Sequence, residues 1–145
     1  MRGLIVDVGG VLVGPGSDFD GLSAVLADAR RRGVRTAILS NDPGGPGGEW
    51  LRKLGDGRLV DRVVLSGDVG VAKPDPRIYR LTAEVLGLEP RDCIFVDDLA
   101  VNVRGAVAVG MVGVHHVDGV VTASELAVLL DVDRDGMQGE QASTW

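Results

Sequence analysis

Five short apolar runs, rich in β-branched residues, recur along the chain at intervals that leave room for a helix between neighbours. The runs cover residues 4–8, 36–39, 63–65, 93–96 and 112–117. Runs of this length and composition are typical of buried strands. Strands that alternate with helices predict a parallel sheet with helices on both faces. We therefore expect an α/β fold with a doubly wound, Rossmann-like sheet of about five strands.

The segments between these runs carry the helical signal. Stronger helices are predicted at 18–32, 75–86 and 99–109, with a weaker one at 50–54. A glycine follows each of the three stronger segments, where helices commonly end. A last helix is predicted from Thr122, because Glu125 stands three positions later and would complete a capping box.

A chain of 145 residues has the length of one domain. We expect residues 1–132 to form a single core domain and the polar residues 133–145 to form a flexible tail. Aromatic residues make up only 3% of the chain, so Val, Leu, Ile and Ala must build the core. The single cysteine, Cys93, lies in an apolar run and is interpreted as a buried, inert thiol.

The charge balance restricts the partners. The net charge is −6, and the one run of basic residues, 30–32, closes a predicted helix, where cations favour the helix dipole. These features argue against general nucleic-acid binding and against binding to anionic membranes. No stretch of 18 apolar residues occurs, and the first apolar run contains an acid, unlike a signal peptide. We expect a cytoplasmic protein.

Polar side chains stand where the predicted strands end, or in the loops that follow them. They are Asp7, Ser40 and Asn41, Lys73, and Asp97 and Asp98. The spacings of 33, 33 and 25 residues between Asp7, Ser40, Lys73 and Asp98 are each close to one strand-plus-helix unit. The carboxyl ends of strands in a doubly wound sheet line one crevice, which is the usual ligand site. These residues are therefore expected to meet in space.

Together, these side chain types are suited to phosphate chemistry. Asp7 and Asp98 are hard oxygen ligands of the kind that Mg²⁺ prefers, and Lys73 can neutralise charge on a transferring phosphoryl group. The hydroxyl of Ser40, with nearby backbone N–H groups, can hold phosphate oxygens. An aspartate can also act as a nucleophile and form an aspartyl-phosphate.

The same residues stand in four segments that resemble the motifs of a known family. DVGGVL at Asp7, AILSN around Ser40, AKPDPRIY around Lys73 and FVDDLAVNVRGAVAVGM around Asp98 resemble the four motifs of the haloacid dehalogenase superfamily. The last two resemble the branch that includes the phosphatase domain of soluble epoxide hydrolase. The resemblance extends from residue 3 to about residue 117. Four motifs in order at domain-wide spacing are specific, although each one alone would be weak.

The resemblance implies a role for each matching residue. Asp7 would be the nucleophile and a Mg²⁺ ligand, and Asp98 and the backbone carbonyl of Gly9 would be the other protein ligands. Lys73 would hold both the phosphate and the nucleophile. The remaining implied roles are phosphate binding for Ser40 and Asn41, and support of the site for Asp97 and Asn102.

The chain departs from the family pattern at Gly9. Phosphatases of the family usually carry a second aspartate there, two residues after the nucleophile, as general acid and base. Proton delivery of this kind is worth about 10²–10⁴-fold, so we expect slow turnover of substrates with poor leaving groups. Some phosphatases of the family have glycine at this position, so activity is still expected.

A second departure is the missing cap domain. Only 32 residues separate Asp7 from Ser40, and 32 separate Ser40 from Lys73, which one loop, one helix and one strand use up. A site without a cap is open to water, and its phosphorylated substrate could be a small molecule or a macromolecule. A homodimer whose partner shields the site is also expected, because two-fold dimers are the commonest oligomers.

Three functions are compatible with this pattern. The leading hypothesis is a Mg²⁺-dependent phosphohydrolase that acts through an aspartyl-phosphate. One alternative is a non-catalytic phosphate- or metal-binding module, and the other is a carbon–halogen hydrolase. The adjacent His115 and His116 lie on a predicted strand and should face opposite sides, which makes a zinc site with both of them improbable.

Overall fold

The computed structural model describes the backbone of residues 1–143 and the side chains of residues 1–131. The strands are β1 (Gly3–Val6), β2 (Arg35–Ser40), β3 (Arg62–Leu65), β4 (Cys93–Asp97) and β5 (Val112–His115). The helices are α1 (Phe19–Arg31), α2 (Glu49–Lys53), α3 (Ser66–Val69), α4 (Pro76–Val85), α5 (Ala100–Ala108) and α6 (Gly119–Ser143). Short 3₁₀ turns cover Gly45–Gly48 and Pro90–Asp92.

The five strands form one parallel sheet in the order β3-β2-β1-β4-β5. The first strand is central, with Ile5 opposite Ala37 on one side and Phe95 on the other. The chain moves outward from β1 to β3 and then returns to the other side for β4 and β5. This reversal creates the crevice in which open α/β sheets bind ligands. The predicted doubly wound α/β fold is confirmed.

The core is divided by the sheet into two layers of buried apolar side chains. Leu4 and Val6 of β1 pack in the layer that contains Leu22 of α1 and Leu126 of α6. On the opposite face, Ile5 of β1 packs in the second layer. This layer also contains Ile78 and Tyr79 of α4, Phe95 of β4 and Ala106 of α5. Because both faces of β1 are covered, the strand is apolar throughout rather than alternating.

The caps of two helices are set by aspartates. The side chain of Asp18 accepts a hydrogen bond from the backbone N–H of Gly21 at 3.1 Å and begins α1. The side chain of Asp118 accepts from the N–H groups of Val120 and Val121 at 2.9 and 3.2 Å, so α6 begins at Gly119.

The capping box expected at Thr122 is therefore wrong, since this residue lies inside the first turn of α6. Asp118, four residues upstream of the expected start, satisfies the free N–H groups first. The hydroxyl of Thr122 instead hydrogen-bonds to the ring of His116 at 2.8 Å.

The connections between the strands are short. Within residues 1–143, no domain is inserted between β1 and β2 or between β2 and β3, as expected for a member without a cap. The backbone of α6 runs through Ser143, and the flexibility of residues 133–145 stays a prediction. None of the described helices is both long and apolar enough to cross a bilayer.

The single cysteine lies on β4 with no exposed surface. Burial raises the pKa of the Cys93 thiol to about 11. Because the thiolate is the reactive form, this cysteine has the properties of the inert core thiol that the sequence predicted.

Candidate active site

The strand ends bring the polar residues together in one cleft. It has a volume of about 310 Å³, and its lining combines residues from all four sequence segments. The lining residues are Asp7, Gly9, Ser40, Asn41, Lys73, Asp98, Leu99 and Asn102. Seven of these eight residues were predicted as site residues from the sequence, and Leu99 was not.

Lys73 is the centre of the buried part of this cleft. Its ammonium donates to Asp97 Oδ2 at 2.8 Å and to the carbonyl oxygen of Leu39 at 3.0 Å, and it lies 3.0 Å from Asp7 Oδ1. An ammonium group has three N–H donors, and here each has an acceptor within the protein. Lys73 therefore links the ends of β1, β2 and β4 before any phosphate is present.

The loop that carries Lys73 is fixed by Asn41. The amide oxygen of Asn41 accepts from the backbone N–H of Lys73 at 2.9 Å, and its amide nitrogen donates to the carbonyl of Lys73 at 3.0 Å. Both ends of the amide are thus used to orient the lysine. The phosphate contact that the resemblance implied for Asn41 stays a prediction.

Asp97 is fully buried and connects the lysine to α5. One carboxylate oxygen accepts from Lys73 and from Asn102 Nδ2 at 3.2 Å, while the other accepts from the backbone N–H of Leu99 at 2.9 Å. Asn102 is held in turn, because its backbone carbonyl accepts a hydrogen bond from the hydroxyl of Tyr79 at 2.7 Å. Asp97 and Asn102, for which the resemblance implied supporting roles, thus contact each other, and Asp97 also contacts Lys73.

Asp7 has an unusual electrostatic environment for a carboxylate. Only 8% of the residue is exposed, and burial raises the pKa of Asp7 to about 6, while Lys73 beside it acts in the opposite direction. Burial penalises the charged form, and the second buried acid, Asp97, adds to the increase. A further cation bound in the cleft would lower this pKa and favour the charged form of Asp7.

Asp98 lies on the open side of the cleft, next to the loop that follows β1. Burial, together with the neighbouring Asp97, raises the pKa of Asp98. Gly10 has a φ of 75°, and a Cβ at this position would collide with the carboxylate of Asp98. Only glycine satisfies both conditions, so Gly10 lets the two segments approach closely.

The acidic groups form a possible cation site. Oxygen atoms from Asp7, Asp97 and Asp98 all lie within 4.8 Å of one another. Since Asp97 is occupied by Lys73 and Asn102, the carboxylates of Asp7 and Asp98 are the ones available to an ion in the cleft. Such a set of hard oxygen donors fits Mg²⁺.

Two histidines at the end of β5 support the cleft from outside, and sequence analysis missed this role. His115 Nε2 donates to the carbonyl of Asp98 at 2.9 Å. His116 Nε2 donates to the carbonyl of Gly16 at 2.7 Å, which fixes the loop after β1. β5 ends at His115, so His116 lies just beyond the strand, and the exposed His115 and the buried His116 each contact a backbone carbonyl distant in sequence.

Comparison with known proteins agrees with this geometry. The model of the haloacid dehalogenase-like hydrolase family matches residues 2–110. The chain belongs to this family. The matched region contains all the predicted site residues of the family, from Asp7 to Asn102. The narrower resemblance to the epoxide hydrolase branch stays a prediction.

Curated relatives in the haloacid dehalogenase-like family include phosphatases. The chain is 43% identical over 89 residues to a phosphatase of Mycobacterium tuberculosis, covering 59% of this chain and 40% of that protein. It is 33% identical over 110 residues to a sesquiterpene phosphatase of Aspergillus oryzae, covering 75% of this chain and 56% of that protein. The chain thus spans about half the length of these two relatives or less.

Solved structures share the fold. An uncharacterised protein of Corynebacterium glutamicum superposes with a TM-score of 0.84 at 46% identity, covering 89% of this chain and 94% of that one. A family enzyme of Bacteroides thetaiotaomicron, in complex with magnesium and inorganic phosphate, gives a TM-score of 0.59 at 16% identity. The overlap covers 79% of this chain and 93% of the Bacteroides chain. At this identity, the second likeness shows the fold alone.

Proposed function

We propose that this chain is a Mg²⁺-dependent phosphomonoesterase that works through an aspartyl-phosphate on Asp7. The observation that carries the proposal is the buried contact between Asp7 and Lys73 at the bottom of an open cleft. The ammonium of Lys73 has all three donors paired and holds one oxygen of Asp7 in place. The other oxygen can then act without rearrangement of the carboxylate. Fixed positioning of this kind supplies a large part of catalysis in phosphoryl transfer.

The donor set supports a bound Mg²⁺. Asp7, Asp98 and the backbone carbonyl of Gly9 would hold the ion, which would neutralise charge on the phosphoryl oxygens. Asp7 and Asp98 lie within the acidic cluster, and both have raised pKa values, the condition that a bound cation would relieve.

The reaction follows from the positions of the chain's own residues. An oxygen of Asp7 attacks phosphorus, the bond from phosphorus to the ester oxygen breaks, and the alcohol leaves with the electron pair. Ser40 and Asn41 hold the phosphoryl oxygens. Water then attacks the aspartyl-phosphate, which releases inorganic phosphate and regenerates Asp7. The leaving alkoxide takes its proton from water, since Gly9 offers no acid.

The phosphatase relatives support this reaction class over the alternatives. The dehalogenase alternative would require Asp7 to attack carbon, and nothing in the cleft distinguishes a halide site. The non-catalytic alternative is not favoured by the intact contacts of Lys73 with Asp7 and Asp97. A binding module would not need a buried lysine to orient a carboxylate.

The experiment that tests the proposal is the release of p-nitrophenol from p-nitrophenyl phosphate with and without Mg²⁺. We expect Mg²⁺-dependent release that is lost in Asp7→Asn and kept in Asp20→Asn, which changes an exposed acid on α1. Full activity of Asp7→Asn would exclude Asp7 as the nucleophile. Absence of release by the wild-type protein under all conditions would favour the non-catalytic module.

A further inference from the structure

The side of the cleft that faces an incoming ester has little polar capacity left. The ammonium of Lys73 already has three acceptors, the amide of Asn41 is paired with the backbone of Lys73, and the amide of Asn102 donates to Asp97. Under the proposed function, the remaining polar groups contact the phosphoryl group and the ion. Among the lining residues, Leu99 is the one large apolar side chain.

The backbone of Leu99 is held firmly, although its side chain is open to solvent. Its N–H donates to Asp97 Oδ1 at 2.9 Å, and its carbonyl accepts from the N–H groups of Asn102 and Val103 at 3.0 and 3.2 Å. The residue is 54% exposed, and it lines the cleft beside Asp98. An exposed leucine fixed at the mouth of a polar cleft is a preformed apolar contact for a ligand.

A second apolar side chain lies on the loop after β1. Val13 pairs with Gly9, which lines the cleft, and the carbonyl of Val13 accepts from the N–H of Gly10 at 2.7 Å. Val13 is 42% exposed. The loop thus presents an exposed valine close to the segment that carries the nucleophile.

The charges of the cleft exclude one class of leaving group. Among the described lining residues, Lys73 is the only cation, and all three of its donors are used. The whole chain carries a net charge of −6. A leaving group with an additional carboxylate or phosphate would therefore meet no free cationic side chain in the lining of the cleft and would be repelled by the net charge of the chain.

We propose that the site acts on phosphomonoesters whose leaving group is apolar and uncharged, and that Leu99 is the specificity-determining residue that contacts this group. The inference rests on the proposed phosphatase function and names its substrate class. Specificity at an open site then depends on the apolar area that the leaving group buries against Leu99.

The test uses phosphates of 4-methyl-, 4-ethyl-, 4-propyl- and 4-butylphenol, whose phenols have nearly the same pKa. In the wild-type protein we expect kcat/KM to rise by about twofold to fourfold per methylene, the upper value corresponding to complete burial. Leu99→Ala should reduce the rise to below about 1.5-fold per methylene, because most of the apolar contact is gone.

A matched control lies two residues away. Val101 is also on the exposed side of α5, at 48% exposure, but it is not among the residues lining the cleft. Val101→Ala should keep the wild-type dependence on chain length. If Leu99→Ala and Val101→Ala reduced the dependence of kcat/KM on chain length equally, the effect would not be local to the cleft. That result would overturn the role of Leu99.

Two further results would overturn the substrate class. One is a wild-type kcat/KM that does not change with chain length. The other is faster turnover of 4-carboxyphenyl phosphate than of 4-propylphenyl phosphate. 4-Carboxyphenyl phosphate has the better leaving group. Faster turnover of 4-propylphenyl phosphate would therefore strongly support an apolar, uncharged substrate class.

Binding separates this inference from the proposed function. Alkylphosphonates cannot be hydrolysed, so calorimetry with ethyl- and hexylphosphonate in the presence of Mg²⁺ measures the apolar contact without turnover. Tighter binding of hexylphosphonate to the wild-type protein than to Leu99→Ala would support the contact even if no ester were hydrolysed. Equal binding by the two proteins would overturn it even if the phosphatase activity were present.

Discussion

The two sides of the cleft are built in different ways. On the side of Asp7, Lys73 and Asp97, the residues are at most 8% exposed, and every donor of the lysine has a protein acceptor. On the side of Asp98 and Leu99, the side chains face solvent and depend mainly on their backbone contacts for position.

This difference separates two tasks. The buried side has its charges oriented before a ligand arrives, so the cost of ordering them was met during folding. On the open side the backbones of Asp98 and Leu99 are held by hydrogen bonds, while their side chains remain available to an ion and a substrate. Substitutions on the buried side should therefore affect folding and turnover together, whereas those on the open side should affect binding first.

The largest effect is expected from removal of the buried lysine. Lys73→Met leaves Asp7 and Asp97 without their shared cation, so we expect turnover to fall about 10³-fold and the free energy of unfolding to fall by about 3–5 kcal/mol. Lys53→Met, which changes the only other lysine, exposed on α2, is the matched control. Urea denaturation and p-nitrophenyl phosphate assays measure both quantities. Near-wild-type turnover in Lys73→Met would refute the distinction between the two sides.

Two adjacent glycines provide the next test. A Cβ at Gly9 would contact nothing within 4 Å, so Gly9→Asp should fold normally and raise turnover of alkyl phosphates by about 10²-fold through proton delivery. Gly10→Ala should instead displace Asp98 and weaken Mg²⁺ binding, because its Cβ would collide with that carboxylate. The comparison of an alkyl ester with p-nitrophenyl phosphate gives the measurement. An equal gain on both esters in Gly9→Asp would mean that the new group does not act as an acid.

The neighbouring aspartates belong to different sides of the cleft, Asp97 to the buried side and Asp98 to the open side. Asp98→Asn removes one charged ligand of the proposed ion, and we expect Mg²⁺ affinity to fall by about 10–100-fold with little change in stability. Asp97→Asn should lower thermal stability more and Mg²⁺ affinity less, since this carboxylate faces Lys73. Calorimetric titration measures the Mg²⁺ affinity of both variants, and thermal unfolding measures their stability. If Asp97→Asn lost more Mg²⁺ affinity and Asp98→Asn lost more stability, Asp97 would be the Mg²⁺ ligand and Asp98 the buried support.

The smallest effect is a dependence on pH. Because the pKa of Asp7 is raised to about 6, turnover at low Mg²⁺ should fall about fivefold from pH 6 to pH 5 as the nucleophile gains a proton. The folded state holds this proton more tightly than the unfolded state, so the contribution of Asp7 to stability is full below pH 3.8 and is lost as pH rises through 6. Saturating Mg²⁺ should move the activity limb to lower pH. A limb that does not respond to Mg²⁺ would place the ion away from Asp7.

Much of the fold could be predicted because its signals are local. Strand β4, for example, consists of a continuous apolar run that ends in an aspartate, and the structure places it at 93–97, one residue longer than predicted. The meeting of Asp7, Ser40, Lys73 and Asp98 followed from the topology of parallel sheets, which places all strand ends at one edge.

The parts that could not be predicted depend on contacts between distant segments. No local pattern links His115 to the carbonyl of Asp98, or Lys73 to the carbonyl of Leu39. Leucine is usually a core residue, so the sequence gives no sign that Leu99 lines the cleft. Only the structure shows this. The homodimer, the cytoplasmic location and the flexible tail at 133–145 stay predictions, and light scattering would test the first.

The hydrogen bond between His116 and Gly16 has a consequence for how the protein is made. It joins residues 100 positions apart, at 2.7 Å, and its carbonyl belongs to the loop that follows β1. A ribosome adds about 5–20 residues per second, so His116 is synthesised about 5–20 s after Gly16. During that time, the loop after β1 lacks this contact and β4 has no outer neighbour. The nascent chain therefore cannot complete the walls of the candidate site until β5 has emerged.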